Sequence, residues 1–296
     1  MELDNKYSPN TEYTTNKIGR RYVIEKDDKL YQRLLGKEST AHGISNLRFA
    51  RTLVPWPHTI LDVGMNIGQN TIEYGTYAKR VIGFEPTPWV YKWALQNIDY
   101  NQNTVDLTKH IWKDVDLDIT ADIETHNLGL STEQATVTFL NEPKNNGHNH
   151  VLTGKRNLGD TIQTYSANIT TMDSFGIENV DYIKIDTEGH ELRVCEGGVK
   201  TIEANRPVVQ CEVVQHQTQR FDYTVNDLWD FFISRDYRVL TRDGIERTQG
   251  ITTGPYNNPG IFQNGEKIRG QMEYWFIPCE HKYWQEPKWQ LFEETV

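Results

Sequence analysis

From about residue 55 to residue 278 the chain alternates short, nearly unbroken apolar runs with stretches whose apolar positions recur every three to four residues. Thr59–Val63 (TILDV) and Arg80–Phe84 (RVIGF) predict strands covered on both faces, being short, β-branched and free of polar alternation. Residues 88–100 predict a helix, with Val90, Trp93, Ala94 and Ile98 on one side. Residues 119–126, 181–186 (DYIKID) and 207–214 (PVVQCEVV) predict further strands. Between the last two, Leu192, Cys195, Val199 and Ile202 mark one face of a helix that ends before Pro207. Thr224 with Asp227 three residues on has the spacing of a capping box. The helix it opens buries Val225, Leu228, Trp229 and Phe232. Residues 237–241 and 274–278 predict a closing strand pair.

Two regions break this rhythm. Residues 131–175 read as two candidate hairpins, ATVTFLNEP and TIQTYSANITTM, on either side of the turn-rich stretch 145–150. Residues 1–28 are polar and read as an irregular strap, and residues 29–51 as one or two helices closed by Pro55 and Pro57. Residues 101–118 are acidic and have no clear period. The expected fold class is α/β: a mostly parallel, doubly wound, Rossmann-like sheet with an antiparallel final strand pair and an inserted β-hairpin region. The expected division is a strap with helices over 1–54, a main domain over 55–278 carrying the insertion 131–175, and an aromatic extension over 279–296. In such sheets ligands sit beyond the carboxyl ends of the strands.

Composition narrows the partners. A formal net charge of −10 over 296 residues disfavours a phosphate backbone, whose binding rests on cationic side chains. Cys195, Cys211 and Cys279 lie far apart, which argues for free thiols in a reducing compartment. No window approaches the roughly 18 apolar residues of a membrane span, and residues 1–7 lack the pattern of a signal peptide. The expectation is a cytoplasmic protein with no membrane partner; self-association is left open.

Chemistry enters at the first strand's exit, Asp62-Val63-Gly64-Met65-Asn66-Ile67-Gly68-Gln69-Asn70. Gly64 permits a sharp turn, Gly68 permits close helix packing, and the backbone between them can approach a ligand. The helix start offers free amides to an anion. Glu85 follows roughly twenty residues later, at the end of the second strand, where a carboxylate accepts the hydroxyls of a ribose. Position 66 is Asn where a dinucleotide loop has its middle glycine, which favours a smaller and less anionic nucleoside.

Taken together, ILDVGMNIGQNT (60–71), VIGFEPTP (81–88), HNLGLS (126–131), TTMDSF (170–175), VDYIKIDTEGHELRVCEGG (180–198) and PVVQCEVV (207–214) resemble the FkbM family of methyltransferases over roughly residues 55–240. The K-I-D-x-E-G-x-E block is the most specific part. The resemblance implies a Rossmann-like methyltransferase fold, S-adenosylmethionine as donor, and methylation of an oxygen on a sugar or small metabolite. It implies that Asp62, Gly64, Asn66, Gly68 and Glu85 hold the cofactor, with Asn70, Pro86 and Asn127 in the same segments. The strap, the 101–118 stretch and the aromatic extension lie outside it, so the acceptor is weakly constrained.

Asp186 ends one predicted strand and Glu212 lies near the end of its neighbour, with His216 beyond. Methyl transfer needs an acceptor oxygen aligned with the methyl carbon, and a base or a metal to make it nucleophilic. Either Asp186 or His216 takes the proton, or Asp186 and Glu212 bind a hard cation such as Mg²⁺. Glu188 and Glu191 read as ordinary first-turn acids. His148 and His150 read as part of an exposed loop, a lid over the acceptor. Trp275, Trp284, Trp289, Tyr274, Tyr283 and Phe292 read mainly as packing. The acceptor is expected to be a small molecule or a glycan. The alternatives are an NAD(P)-dependent oxidoreductase, a nucleic-acid or protein methyltransferase, and a binding module without activity.

Overall fold

The structure, a computed structural model, describes residues 11–15, 20–28, 44–103, 118–142, 145–153, 163–241, 244, 246–247, 261–263, 266–268 and 273–285. Its first elements are β1 (Thr11–Thr15), β2 (Arg21–Glu25), α1 (Ile44–Leu53), β3 (Thr59–Val63), α2 (Gln69–Tyr74), β4 (Arg80–Phe84), α3 (Pro88–Asn103) and β5 (Asp122–His126). There follow β6 (Gly129–Leu130), β7 (Ala135–Asn141), β8 (His150–Val151), β9 (Gln163–Thr170), β10 (Val180–Ile185), α4 (Glu191–Glu196), α5 (Val199–Asn205) and β11 (Val208–Glu212). The chain continues through α6 (Gln215–Thr218), α7 (Val225–Ile233), β12 (Tyr237–Thr241), β13 (Glu246–Arg247), β14 (Ile261–Gln263), β15 (Glu266–Ile268) and β16 (Glu273–Pro278).

Eight strands form the main sheet in the order β13-β12-β16-β11-β10-β3-β4-β5. From β5 to β11 all pairings are parallel, while β16 runs antiparallel to both β11 and β12. The doubly wound sheet and the antiparallel closing pair expected from the sequence are both present. The winding reverses between β3 and β10, which places a crevice at their carboxyl ends.

The unbroken apolar runs are explained by burial on two faces. Leu61, Val63, Ile82, Ile183, Ile185 and Val209 pack with Leu192, Val194, Leu228 and Phe232 from α4 and α7. On the other side, Ile60, Val81, Tyr182, Val208 and Trp275 pack with Leu47, Phe49, Ala50 and Leu53 of α1. Each such side chain stabilises by about 1.5–3 kcal/mol when fully withdrawn from water. The capping box of α7 forms as its spacing predicts, Thr224 Oγ1 accepting from Asp227 N and Asp227 Oδ2 from Thr224 N.

Three expectations change. The helical face 192–202 belongs to two helices, broken at Gly197 and Gly198, and a Cβ on Gly197 would stand 1.8 Å from the Ser131 carbonyl oxygen. Residues 131–175 do not form two hairpins. β7 pairs along its whole length with β9, Ala135↔Ile169 to Asn141↔Gln163, in one four-stranded sheet ordered β6-β9-β7-β8. Neither segment holds a turn of its own, so each must find a distant partner. The strap is not irregular either: β1 and β2 pair antiparallel, and Tyr22, Val23 and Ile24 pack against Trp89, Val90 and Trp93 of α3. Much of the 29–51 and 101–118 readings, and Trp289 and Phe292, lie outside the described residues.

Candidate active site at the strand tips

Where β3 ends, the amides of Gly64 and Met65 both donate to the Phe84 carbonyl oxygen at 3.0 Å, turning the chain sharply across the tip of β4. Gly64 has φ +81°, and a Cβ there would stand 2.0 Å from the Asp186 carbonyl oxygen. Glycine is therefore required twice, for the backbone and for the close approach. Asn66 follows with φ +50°, and its amide donates to Glu85 Oε2 at 3.1 Å. Thr87 N donates to Glu85 Oε1 at 2.8 Å. Burial pushes the Glu85 carboxyl up to about 7, although the Thr87 and Asn66 amides pull it back.

The other expected cofactor residues support this loop from outside the pocket. Asp62 is fully buried beneath it, accepting from Thr71 Oγ1 at 2.6 Å. Gly68, at φ +82°, begins α2 against Ala94 and Ile98. Asn70 lies on α2, half-buried. Asn127 Nδ2 donates to the Glu85 carbonyl at 2.8 Å and shapes the turn into Pro86.

Above the loop is a pocket partly open to solvent, with about 700 Å³ of atom-free space when the solvent at its mouth is included. Its floor is Gly64, Asn66, Glu85 and Pro86, and its far wall Asp186, Thr187, Glu188 and His190. The inserted sheet makes its roof, with Leu130, Phe139, Val151 and Ile169 as apolar panels and Asn146, Gly147 and Asn149 beside them.

At the far wall the side chains fall into rows set by strand register. Asp62, Lys184 and Gln210 are partners across β3, β10 and β11 and so point to one face. Asp186 and Glu212, two residues further on, lie on that face above them, with Glu273 opposite Glu212 on β16. Lys184 is 5% exposed and its Nζ lies 3.0 Å from Asp186 Oδ2. Burial opposes its charge, but Asp186, Asp62 and Glu273 outweigh that and raise its pKa. Behind it Trp275 Nε1 donates to Tyr182 Oη, Tyr182 Oη to Gln210 Oε1, and Gln210 Nε2 to Glu273 Oε2.

The structure brings Asp186 and Glu212 together and adds a residue that the sequence reading treated as ordinary. Glu188, in the left-handed region at φ +59°, turns its carboxyl inward and accepts from Gln217 Nε2 at 2.5 Å. Oxygens of Asp186, Glu188 and Glu212 all lie within 4.8 Å of one another. Burial, then Asp186 and Glu191, push Glu188 up to about 9. Burial, then Asp186, Glu273 and Glu188, hold Glu212 far above the carboxylate range. Glu191 is structural, its Oε1 accepting from the amides of Thr187 and Gly189. His190 meets Ser131 Oγ through Nε2 at 2.9 Å, and burial with Arg193 lowers it to about 4, so it is neutral at pH 7. The side chain of His216 lies outside the described residues. His148 is exposed, and His150 Nδ1 donates to the His148 carbonyl at 2.8 Å, so the two do not present a matched pair of ring nitrogens. Two features of the sequence bear on this wall, though neither singles out Glu188. Alternation along DYIKID puts Lys184 on the face of Asp186, and the T-E-G triplet offers a place for backbone reversal.

Residues 62–239 match the methyltransferase FkbM domain. The chain belongs to the FkbM methyltransferase family. The match takes in the glycine loop, Glu85, Asp186 and Glu212, and leaves out the strap and β16. Among solved structures the chain is similar to an FkbM methyltransferase from Methylobacillus flagellatus KT, at 16% identity and a TM-score of 0.43, over 74% of this chain and 43% of that one. The chain thus spans less than half the length of that relative. It is also similar to TrmK of M. capricolum in complex with S-adenosyl-homocysteine, at 10% identity and a TM-score of 0.36, over 80% of this chain and 68% of that one. A third likeness is to the Pyrococcus abyssi tRNA (uracil-54, C5)-methyltransferase in complex with S-adenosyl-L-homocysteine, at 16% identity and a TM-score of 0.35, over 77% and 39% of the two chains. No curated protein matches by sequence. Among the described residues no helix is long and apolar enough to cross a membrane.

Proposed function

We propose that this FkbM-family chain transfers a methyl group from S-adenosylmethionine to a hydroxyl oxygen of a small-molecule or glycan acceptor. The observation that carries the reading is Glu85, a buried carboxyl in the pocket floor whose two oxygens are held by the Asn66 and Thr87 amides. A carboxylate so fixed suits the paired hydroxyls of a ribose, and the apolar panels Leu130, Phe139 and Ile169 suit a flat base. Gly64 and Asn66 would lie along the amino-acid part of the donor. When bound, S-adenosylmethionine supplies an electrophilic methyl carbon on a sulfonium centre.

The chain's own part is to align the acceptor oxygen and receive its proton. Asp186 is placed for both tasks: it lines the pocket, its side chain is 32% exposed, and Lys184 holds it from behind. Glu188 and Glu212 beside it make the wall poor in positive charge, which favours a neutral, hydroxyl-bearing acceptor over a phosphate-rich one. Membership in a methyltransferase family also removes the nicotinamide alternative. We place the protein in the cytoplasm, since Cys195, Cys211 and Cys279 are all free thiols.

A second reading has an observation of its own. Three carboxylate oxygens within 4.8 Å are hard donors that fit Mg²⁺. The Lys184 ammonium already compensates Asp186, which makes the metal-free reading the leading one. Incubation with methyl-labelled donor and a panel of glycans, hydroxylated metabolites, RNA and protein, with and without EDTA, tests both. Label on a hydroxyl compound, unchanged by EDTA, is expected. Transfer only to RNA or protein replaces the acceptor class, and loss in EDTA with recovery in Mg²⁺ selects the second reading.

A further inference from the structure

We propose that the N-terminal strap, outside the family domain, anchors the roof of the donor pocket, with Asn146 as the latch that holds this roof over the glycine loop. This rests on the donor reading above. The roof reaches the floor at Gly147, where a Cβ would stand 3.1 Å from Asn66 Nδ2. Asn146, Gly147 and Asn149 all line the pocket.

The latch is built on one side chain and its own amide. Asn146 is 8% exposed. Its backbone amide donates to Asp28 Oδ2 at 2.9 Å, and its Nδ2 donates to the same oxygen at 3.1 Å and to Glu25 Oε2 at 3.3 Å. Its Oδ1 accepts from Trp89 Nε1 at 2.9 Å. Three remote stretches meet there: the strap, the inserted loop and the first turn of α3. A buried carboxylate serving two N–H donors of one residue makes strong, directional bonds, and losing one partner leaves the other buried without its bond.

The strap is itself tied to the core. Arg20 Nε donates to Glu73 Oε1 at 3.1 Å, with both side chains buried. Val23 N donates to Asn97 Oδ1 and Arg21 N to Asn101 Oδ1, both on α3. Residues 20–28 all precede the matched span 62–239, so a segment outside the domain sets how firmly the domain's pocket is roofed. The side-chain atoms of Asn146 are used in the latch, which makes it a positioning residue acting through Gly147 and Asn149.

The experiment uses the full chain and S-adenosylhomocysteine as probe. It follows dissociation by stopped-flow tryptophan fluorescence and affinity by calorimetry. Asn146→Ala and Asp28→Ala should each speed release about tenfold, with unfolding temperature without ligand recorded alongside. Asn146→Asp sets a third carboxylate against Asp28 and Glu25 and should release faster still. Asp28→Asn combined with Asn146→Asp restores a donor facing an acceptor and should recover most of the lost affinity, which a general packing defect would not. If Asn146→Ala does not fold, Asp28→Asn, which keeps shape and one acceptor oxygen, should still speed release about threefold. A parent that binds the probe, with variants that release it at the parent's rate or a double variant that recovers nothing, overturns the latch. A parent that binds no probe overturns the donor reading, and the latch with it.

Discussion

At the tip of β4 a single carboxylate, Glu85, is met by two backbone amides. At the tips of β10 and β11 three carboxyl groups crowd together, and Lys184 pairs with Asp186. Both ends sit on the same sheet, yet the first is settled by main-chain geometry while the second, half-buried at Asp186 and Glu212, is under electrostatic tension. Backbone amides are neutral dipoles that cannot be titrated away, so under the proposed function the Glu85 end is set before the donor arrives. Carboxyl groups that raise one another's proton affinity are suited to exchanging protons, which is what the proposed function asks of an acceptor-side wall.

Four changes would break or sharpen that contrast. Gly64→Ala acts on both ends at once, because its Cβ would stand 2.0 Å from the Asp186 carbonyl oxygen. It should weaken S-adenosylhomocysteine binding by more than about a hundredfold in calorimetry. Near-normal binding would show that the two ends are not mechanically joined. Asp186→Asn should separate them, lowering turnover by about a hundredfold or more while leaving the affinity for S-adenosylhomocysteine within about threefold. Full turnover in that variant would remove Asp186 from the chemistry.

The third change is pH. With its carboxyl raised to about 7, Glu85 is ionised above that value and protonated below it. Probe affinity should therefore fall about tenfold from pH 8 to pH 6, and Glu85→Gln should flatten the dependence. A parent profile without that drop would mean that the ionised carboxylate is not what the ribose meets. The same raised value has a stability consequence of opposite sense. The folded chain takes up the Glu85 proton before the unfolded chain does, so this group's contribution to stability declines as pH rises through 4.5 to 7. Smallest is Lys184→Met, expected to reduce turnover about tenfold in the parent and to have no further effect in the Asp186→Asn background. Equal losses in both backgrounds would make Lys184 a folding residue instead.

The contrast also separates what the sequence disclosed from what it did not. Strands β3 and β4 could be read to the residue because burial on both faces gives each a short and nearly unbroken apolar run. The Gly64 turn and Glu85 were visible because local backbone demands carry a residue-type signature. Glu188 was not: a first-turn acid and an acid in the left-handed region look alike in sequence, and only the backbone reversal at 188–189 turns its carboxyl inward. Glu273 was hidden for another reason, reaching Glu212 through a pairing made 61 residues downstream. The roof was misread because β7 and β9 are each half of a pair and a local pattern cannot name the other half. The strap's apolar triplet, Tyr22 to Ile24, was passed over inside a polar stretch too short to show a period.

β16 lies between β11 and β12 although it is the last strand of the sheet to be synthesised. Until residues 273–278 leave the ribosome, β11 and β12 have no strand to bridge them, and each offers an open edge to any passing chain. Trp275 and Phe276, both fully buried in the finished molecule, are absent from that intermediate. A stop codon or a prolonged stall just upstream of Glu273 would thus yield an aggregating polypeptide, with no weakened protein to measure, however intact the residues of its pocket.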